Sequence, residues 1–234
     1  MNSLNGMALF LALVPAAATA QSCELRSAAQ PPAIVELYTS EGCSSCPPAD
    51  RWLSTLKGRS DVIALAFHVN YWDRLGWPDR FATPALTERQ HRLAQSSGAG
   101  YVYTPQVLLN GRDLRHWSGS SPTRLPASAV ALALKREGQT VTATIDADSD
   151  RLAGYWAVLE DGHHTRVRAG ENAGQALRHD HVVTLYQPVE AWAARGARQL
   201  SLTLPQASGS ARRVVFVVTD AASQRPLQAL ALAC

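Results

Sequence analysis

Cys43 and Cys46 stand three residues apart in Ser40-Glu41-Gly42-Cys43-Ser44-Ser45-Cys46-Pro47-Pro48. The apolar run Ile34-Val35-Glu36-Leu37-Tyr38 comes just before, and residues at helical spacing follow. This order predicts a strand, a tight turn and a dithiol at a helix N-terminus. A helix start presents N–H groups without partners and the positive end of the helix dipole. Both favour the thiolate, which is the nucleophile of thiol–disulfide exchange. Cys43 is then the attacking sulfur, exposed at the turn, and Cys46 the resolving sulfur, more buried in the first helical turn. Exchange through a mixed disulfide needs only the two sulfurs, so neither a cofactor nor a metal is expected. A static disulfide is the plainer alternative. A copper- or zinc-handling pair ranks third, because a closed zinc site needs four ligands.

Other chemistry-bearing residues fall into three groups. Tyr71, Trp72, Asp73 and Trp77 lie in a Trp- and Asp-rich run from Asn70 to Asp79 that follows an apolar stretch. If the two apolar stretches are parallel strands, this loop shares a sheet edge with the dithiol, where open α/β sheets bind ligands. These four residues are a candidate substrate wall, and Asp73 or His68 is placed to move protons. In the plainer alternative the rings fill a gap and Asp73 caps a turn. His68 itself reads more simply as a core histidine. A second group, Glu171, Asn172, Arg178, His179 and Asp180, reads as a polar connection capping a sheet edge, ahead of a partner-binding role. The third is Thr104-Pro105, at the entrance of a short apolar run.

The positioning elements are legible from periodicity. Ile34 to Thr39 and Val62 to Val69 are strand candidates, the second apolar enough to be buried on both faces. Between them Trp52, Leu53 and Leu56 share one helical face, with prolines in the first turn and Gly58 at the end. Pro84 to Ser96 predicts a helix capped by Thr83. Gln106 to Leu109 is a strand ending in Asn110-Gly111, a hairpin signal, with a return strand over 112–117. A closing helix is expected from Ser121 to Lys135. Beyond Gly138, short alternating runs at 141–145, 154–159, 164–167, 182–186, 200–204, 214–218 and 227–232 predict an antiparallel sandwich.

Length and composition set the bounds. The chain has 234 residues, 46% of them hydrophobic, and a formal net charge of +3. That charge is small and unclustered, so nucleic acid is not an expected partner. Met7 to Val14 is apolar, and Ala18-Thr19-Ala20 is a small-x-small site, so residues 1–20 read as a secretory signal without a membrane-spanning role. Periplasmic or secreted localisation follows, with no membrane association after cleavage. The expected layout is 1–20 signal, 21–137 first domain and 138–234 β-rich domain. Outside the cytosol disulfides persist. Four cysteines allow three pairings. The favoured one has Cys43 with Cys46, and Cys23 with Cys234 as a structural bridge tying the chain ends.

The β-α-β-α-β-β-α order, the dithiol at the first helix and the proline before the third strand resemble the thioredoxin superfamily in its glutaredoxin-like form. That resemblance implies a cis peptide bond at Thr104-Pro105, facing the dithiol and pairing with substrate backbone. It also implies a buried carboxylate six residues before Cys43. Leu37 occupies that position, and strand alternation points the adjacent Glu36 to the opposite face. Longer stretches, VELYTSEGCSSCPPAD at 35–50, FHVNYWDRLGWPDRF at 67–81, TERQ at 87–90, YTPQVLLNGR at 103–112 and GENAGQALRHDHVV at 170–183, resemble the bacterial secreted thioredoxin-like proteins called domain of unknown function 1223. The fold implied is an α/β thioredoxin-like domain followed by an all-β sandwich-like domain. The activity expected is thiol–disulfide exchange with a disulfide-containing or thiol protein, or a small molecule, together with an unidentified redox partner. A non-enzymatic secreted binding module is the alternative.

Overall fold

The computed structural model describes residues 22–206 and 211–234. The expected signal segment and its cleavage site lie outside them. The described strands are β1 (Ser22–Arg26), β2 (Ala33–Thr39), β3 (Val62–His68), β4 (Gln106–Leu109), β5 (Arg112–Asp113), β6 (Ala131–Glu137), β7 (Thr140–Glu160), β8 (His163–Arg166), β9 (Ala176–His179), β10 (Val182–Thr203), β11 (Arg212–Asp220) and β12 (Pro226–Leu232). Two α-helices accompany them, α1 (Pro47–Ser54) and α2 (Pro84–Ser96).

Alternation in β2 and β3 sorts their side chains onto two faces. Ala33, Val35 and Leu37 join Val62, Ala64 and Ala66 in a core under Ala49, Leu53 and Leu56, along and just beyond α1. Ile34, Tyr38, Ile63, Leu65 and Phe67 face the other way, towards Leu86 of α2. Pro47 and Pro48 fit the first turn of α1, where N–H groups have no helical partner. Thr83 caps α2, its hydroxyl accepting the Leu86 N–H at 3.4 Å.

The order of the large sheet is β1-β6-β7-β10-β3-β2-β4-β5, with β11 also paired to β7 and β12 to β11. It has ten strands and mixed direction: β2, β3 and β10 are mutually parallel neighbours, the rest antiparallel. β8 and β9 form a separate two-stranded hairpin. The longest strands, β7 with 21 residues and β10 with 22, pair along almost their whole length. Register shifts near Val183, Val189 and Trp192 bend the pair, as bulges do. A third core gathers around Trp156, Phe216, Leu134 and Ile145. Beside it, a disulfide joins Cys23 to Cys234, with Cα atoms 6.6 Å apart.

This architecture corrects the expected fold. The chain does not form an α/β thioredoxin-like domain followed by a β-sandwich; it is mostly strand, built around one large mixed sheet. Two findings overturn the expectation. The closing helix at 121–135 is absent: residues to 130 are irregular and Ala131–Glu137 is β6, paired to both β1 and β7. Pro122 and Pro126 interrupt any helix there, and Leu132 and Leu134 are buried two residues apart, which is strand periodicity. The second finding is that β10 joins β3 directly, with Val182 opposite Ala66 and the Ala66 N–H donating to His181 O at 2.8 Å. The late strands therefore extend the early sheet. The runs at 141–145 and 154–159 are one strand, as are those at 182–186 and 200–204. The return strand after Asn110-Gly111 shrinks to Arg112–Asp113.

Glu36 points to the α2 face. It pairs with Arg89 and accepts the Tyr155 hydroxyl at 2.5 Å. The Arg89 guanidinium lies 4.1 Å from the Tyr155 ring centroid and 5.0 Å from that of Phe67. Removing one partner of a buried ion pair strands the other charge in low dielectric. Glu36→Ala is expected to lower the unfolding free energy by about 3–5 kcal/mol in urea denaturation. A loss under about 1 kcal/mol, the scale of an exposed pair, would contradict the pair's structural role.

Candidate functional site

β2 ends at Thr39 and β3 at His68 on the same edge, because the two are parallel. The dithiol turn leaves β2, and the run to Asp79 leaves β3. Their approach is close: a Cβ on Gly42 would lie 3.0 Å from Trp72 Cβ, so glycine is the residue that fits. Cys43 and Cys46 are joined in a disulfide, Cα atoms 5.4 Å apart, with Cys46 at the N-cap of α1.

Both cysteines are 0% exposed, and Ser44 and Ser45 occupy the outer positions of the turn. Cys43 thus departs from the exposed position read from the sequence. The cause is cover supplied by distant residues. The Asn172 side-chain amide donates to Glu41 O at 2.9 Å and Cys43 O at 3.0 Å. Glu171 accepts both the Ser44 N–H, at 3.1 Å, and the Ser44 hydroxyl, at 2.8 Å. Those two bonds hold the Glu171 carboxyl below the usual carboxylate range.

The Thr104 hydroxyl lies 3.3 Å from Cys43 Sγ and accepts the Trp72 indole N–H at 2.8 Å. The Thr104-Pro105 peptide bond is cis. Tyr71 donates to Gln90 Oε1 at 3.2 Å, and burial pushes its phenol up to about 12. Trp77 donates to Glu41 Oε2 at 2.8 Å. Asp73 accepts the Asp79 N–H at 3.1 Å, which makes it a brace within its own loop. Trp72, Thr104 and Cys43 therefore come together, with Tyr71 beside Thr104 and Trp72, while Asp73 bonds elsewhere. Cys23 and Cys234 pack on the core around Trp156 and Phe216.

On the α1 side of the sheet, next to the dithiol turn, lies a buried charged cluster. His68 Nδ1 is 2.6 Å from Asp79 Oδ2, and that oxygen also accepts the Glu41 N–H at 2.8 Å. His179, from β9, places Nε2 3.4 Å from Glu41 Oε1 and Nδ1 4.0 Å from Asp50 Oδ1, close but without aligned hydrogen bonds. Asp50, in α1, accepts the Thr39 hydroxyl at 3.0 Å. The His68 and His179 rings meet edge to face at 5.0 Å, with Phe81 against both. His68 Nε2 has no partner among the described residues.

Burial opposes charge on all of these groups, and partners decide the outcome. Asp50 is pushed up by burial, partly offset by His179. Burial also works to raise Asp79, but His68 and the N–H groups of Glu41 and Phe81 overcome it and leave the carboxyl low. Burial works to lower His68, and Asp79 outweighs it, so the imidazole titrates high. Glu41 stays low through His179, Thr165 and Trp77 despite its burial. The sequence favours a core histidine at His68, with a proton-moving role as the sharper alternative, places His179 in a polar connection, and does not single out Glu41, Asp50 or Asp79. The available signal was Asp50, four residues after Cys46 on the same helical stripe.

Fold and site together define a β-rich protein whose large mixed sheet carries a CXXC disulfide at one edge. Residues 34–219 match the family described as protein of unknown function (DUF1223), and the chain belongs to that family. The crystal structure of protein AGR_C_4864 from Agrobacterium tumefaciens is similar, with TM-score 0.66 and 27% identity, over 86% of this chain and 93% of that one. HBP35 of Porphyromonas gingivalis shares the fold at TM-score 0.60 and 16% identity, over 88% of this chain and 76% of that one. No functionally curated protein matches the chain.

Two outcomes follow from this geometry. Asn172→Ala removes two hydrogen bonds that hold the turn closed, worth about 1 kcal/mol each. Reduction of Cys43–Cys46 by a small thiol should then speed up by up to about thirtyfold, as followed by alkylation and mass analysis. An unchanged rate would mean that Asn172 does not restrict access. The second outcome concerns pH. Asp79, held low, contributes stability above about pH 4 that is lost as pH falls through its folded value. His68, held high, contributes stability below about pH 6.5 that is lost as pH rises through its folded value. The gap in Tm between wild type and Asp79→Asn should be widest between about pH 4 and 6.5, and a pH-independent gap would refute the ion pair.

Proposed function

We propose that this protein is an exported thiol–disulfide oxidoreductase acting through Cys43 and Cys46. The observation that carries this reading is the short-range disulfide at the start of α1 beside the Thr104 hydroxyl. Export is supported by two disulfides in one chain, since such bonds persist outside the cytosol. Among the described residues no helix is long and apolar enough to cross a membrane.

In the reduced protein the Cys43 thiolate attacks a substrate disulfide and one substrate sulfur leaves as thiolate. Cys46 then attacks Cys43 Sγ, the protein disulfide re-forms, and the second substrate sulfur leaves. Two electrons pass from the dithiol to the substrate disulfide, and a dithiol partner reverses the cycle. Trp72 orients the Thr104 hydroxyl on Cys43. Trp77 and Tyr71 line the same loop, and a thiol or disulfide substrate, protein or small, approaches across it.

A second reading has its own support. Both sulfurs are fully buried under Asn172 and Glu171, as suits a permanent bridge in a secreted binding module. A redox titration in glutathione or dithiothreitol buffers separates the two. An oxidoreductase pair is expected to titrate above about −300 mV, and Cys43→Ser to abolish exchange. A potential well below about −300 mV, in the range of structural bridges, would overturn the enzyme reading.

A further inference from the structure

Cutting the Cys43–Cys46 bond generates a sulfur anion inside the protein, because Cys46 is 0% exposed. A buried, unpaired charge is costly, so Cys46 needs a proton partner. The cations of α1 do not serve. Arg51 is exposed, and Lys57 pairs with Asp180 at 2.8 Å, beyond the far end of the helix.

The cluster beside the turn has an excess of carboxyl groups. Glu41, Asp50 and Asp79 face two imidazoles, His68 and His179, with side chains at most 8% exposed. Of the three, Asp79 accepts from His68 and from two backbone N–H groups. Glu41 accepts the Trp77 N–H. Asp50 accepts a neutral hydroxyl, that of Thr39, and the His179 imidazole stands 4.0 Å away. Asp50 is thus the carboxyl with the weakest support for its charge, and so the one suited to hold a proton. It is also one helical turn beyond Cys46, and its N–H donates to Cys46 O at 3.2 Å. Residues four apart on a helix have Cβ atoms about 5–6 Å apart.

We propose that Asp50 is the proton partner of Cys46, which rests on the oxidoreductase reading above. As the Cys46 sulfur attacks Cys43 Sγ, its proton passes to the Asp50 carboxylate. The Cys43–substrate sulfur bond breaks and the substrate departs as thiolate with the electron pair. When a partner thiolate reopens the disulfide by attacking Cys43, the proton returns from Asp50 to the Cys46 sulfur. His179 from β9, with Glu41 from the turn and the His68–Asp79 pair from β3 and its loop, sets how readily Asp50 takes that proton. Burial raises the Asp50 carboxyl above its ordinary value, which favours a carboxyl that takes up a proton.

The test uses the reduced full chain mixed with an excess of an aromatic disulfide that releases coloured thiolates, between pH 5 and 9. The first thiolate reports attack by Cys43 and the second reports resolution by Cys46. Asp50→Asn should leave the first phase unchanged and slow the second about a hundredfold near neutrality, the scale of general-base catalysis. Asp50→Glu should restore much of the second phase. His179→Gln removes the imidazole that works to lower the Asp50 carboxyl, so the rise of the second phase should move to higher pH. This variant keeps the inference testable if Asp50→Asn fails to fold. Asp50→Asn with a wild-type second phase, or His179→Gln with an unmoved pH profile, overturns the assignment of Asp50 while leaving the enzyme reading intact. A wild type that releases no second thiolate overturns both.

Discussion

The contact on which this molecule depends is the parallel pairing of β10 with β3, where Val182 lies opposite Ala66. It welds the late half of the chain to the early half in one sheet. It also carries β9 and the connection before it onto the dithiol edge. That pairing, with the Tyr155 contact to Glu36 on the other face, brings His179, Glu171 and Asn172 to the turn. Both sulfurs are buried and the turn is strapped from a segment about 130 residues away.

Strand alternation then divides the polar load between the two faces of the sheet. Even positions of β2 send Glu36 towards α2, where Arg89 pairs with it and the Tyr155 hydroxyl donates to it. Odd positions send Thr39 towards α1, where it meets Asp50. One buried carboxylate is fully neutralised by a guanidinium, and its role is packing. The other sits among imidazoles and carboxyls that outnumber them, and its charge is only partly supported. The same residue type thus serves different ends because its partners differ.

How much of this was legible beforehand depends on the range of the interaction. The dithiol at a helix start, the doubly buried β3 and the Thr83-capped α2 rest on neighbours within a few residues, and they stand close to where periodicity puts them. The family was legible too, from contiguous runs such as those at 35–50 and 67–81. The architecture was not. Residues 121–135 carry leucines and alanines that suit a helix by composition, yet β1 and β7 offer two open strand edges, and pairing with both outweighs that local preference. Likewise β7 and β10 read as separate short runs, because their middles are polar and bulged where each strand is held by its partner.

By itself, then, the sequence determined the local chemistry: two cysteines at helix-start spacing, a proline at the entrance of a short strand, and Glu36 on the opposite face from Leu37. Those follow from chain geometry, which residue order sets directly. Tertiary structure alone decided which charged groups surround the dithiol and whether solvent reaches it. Glu41, Asp50, His68, Asp79 and His179 come from five separate places in the chain, and Asn172 from a sixth. Their meeting depends on a sheet register spanning more than a hundred residues, and side-chain pattern does not encode such a pairing locally.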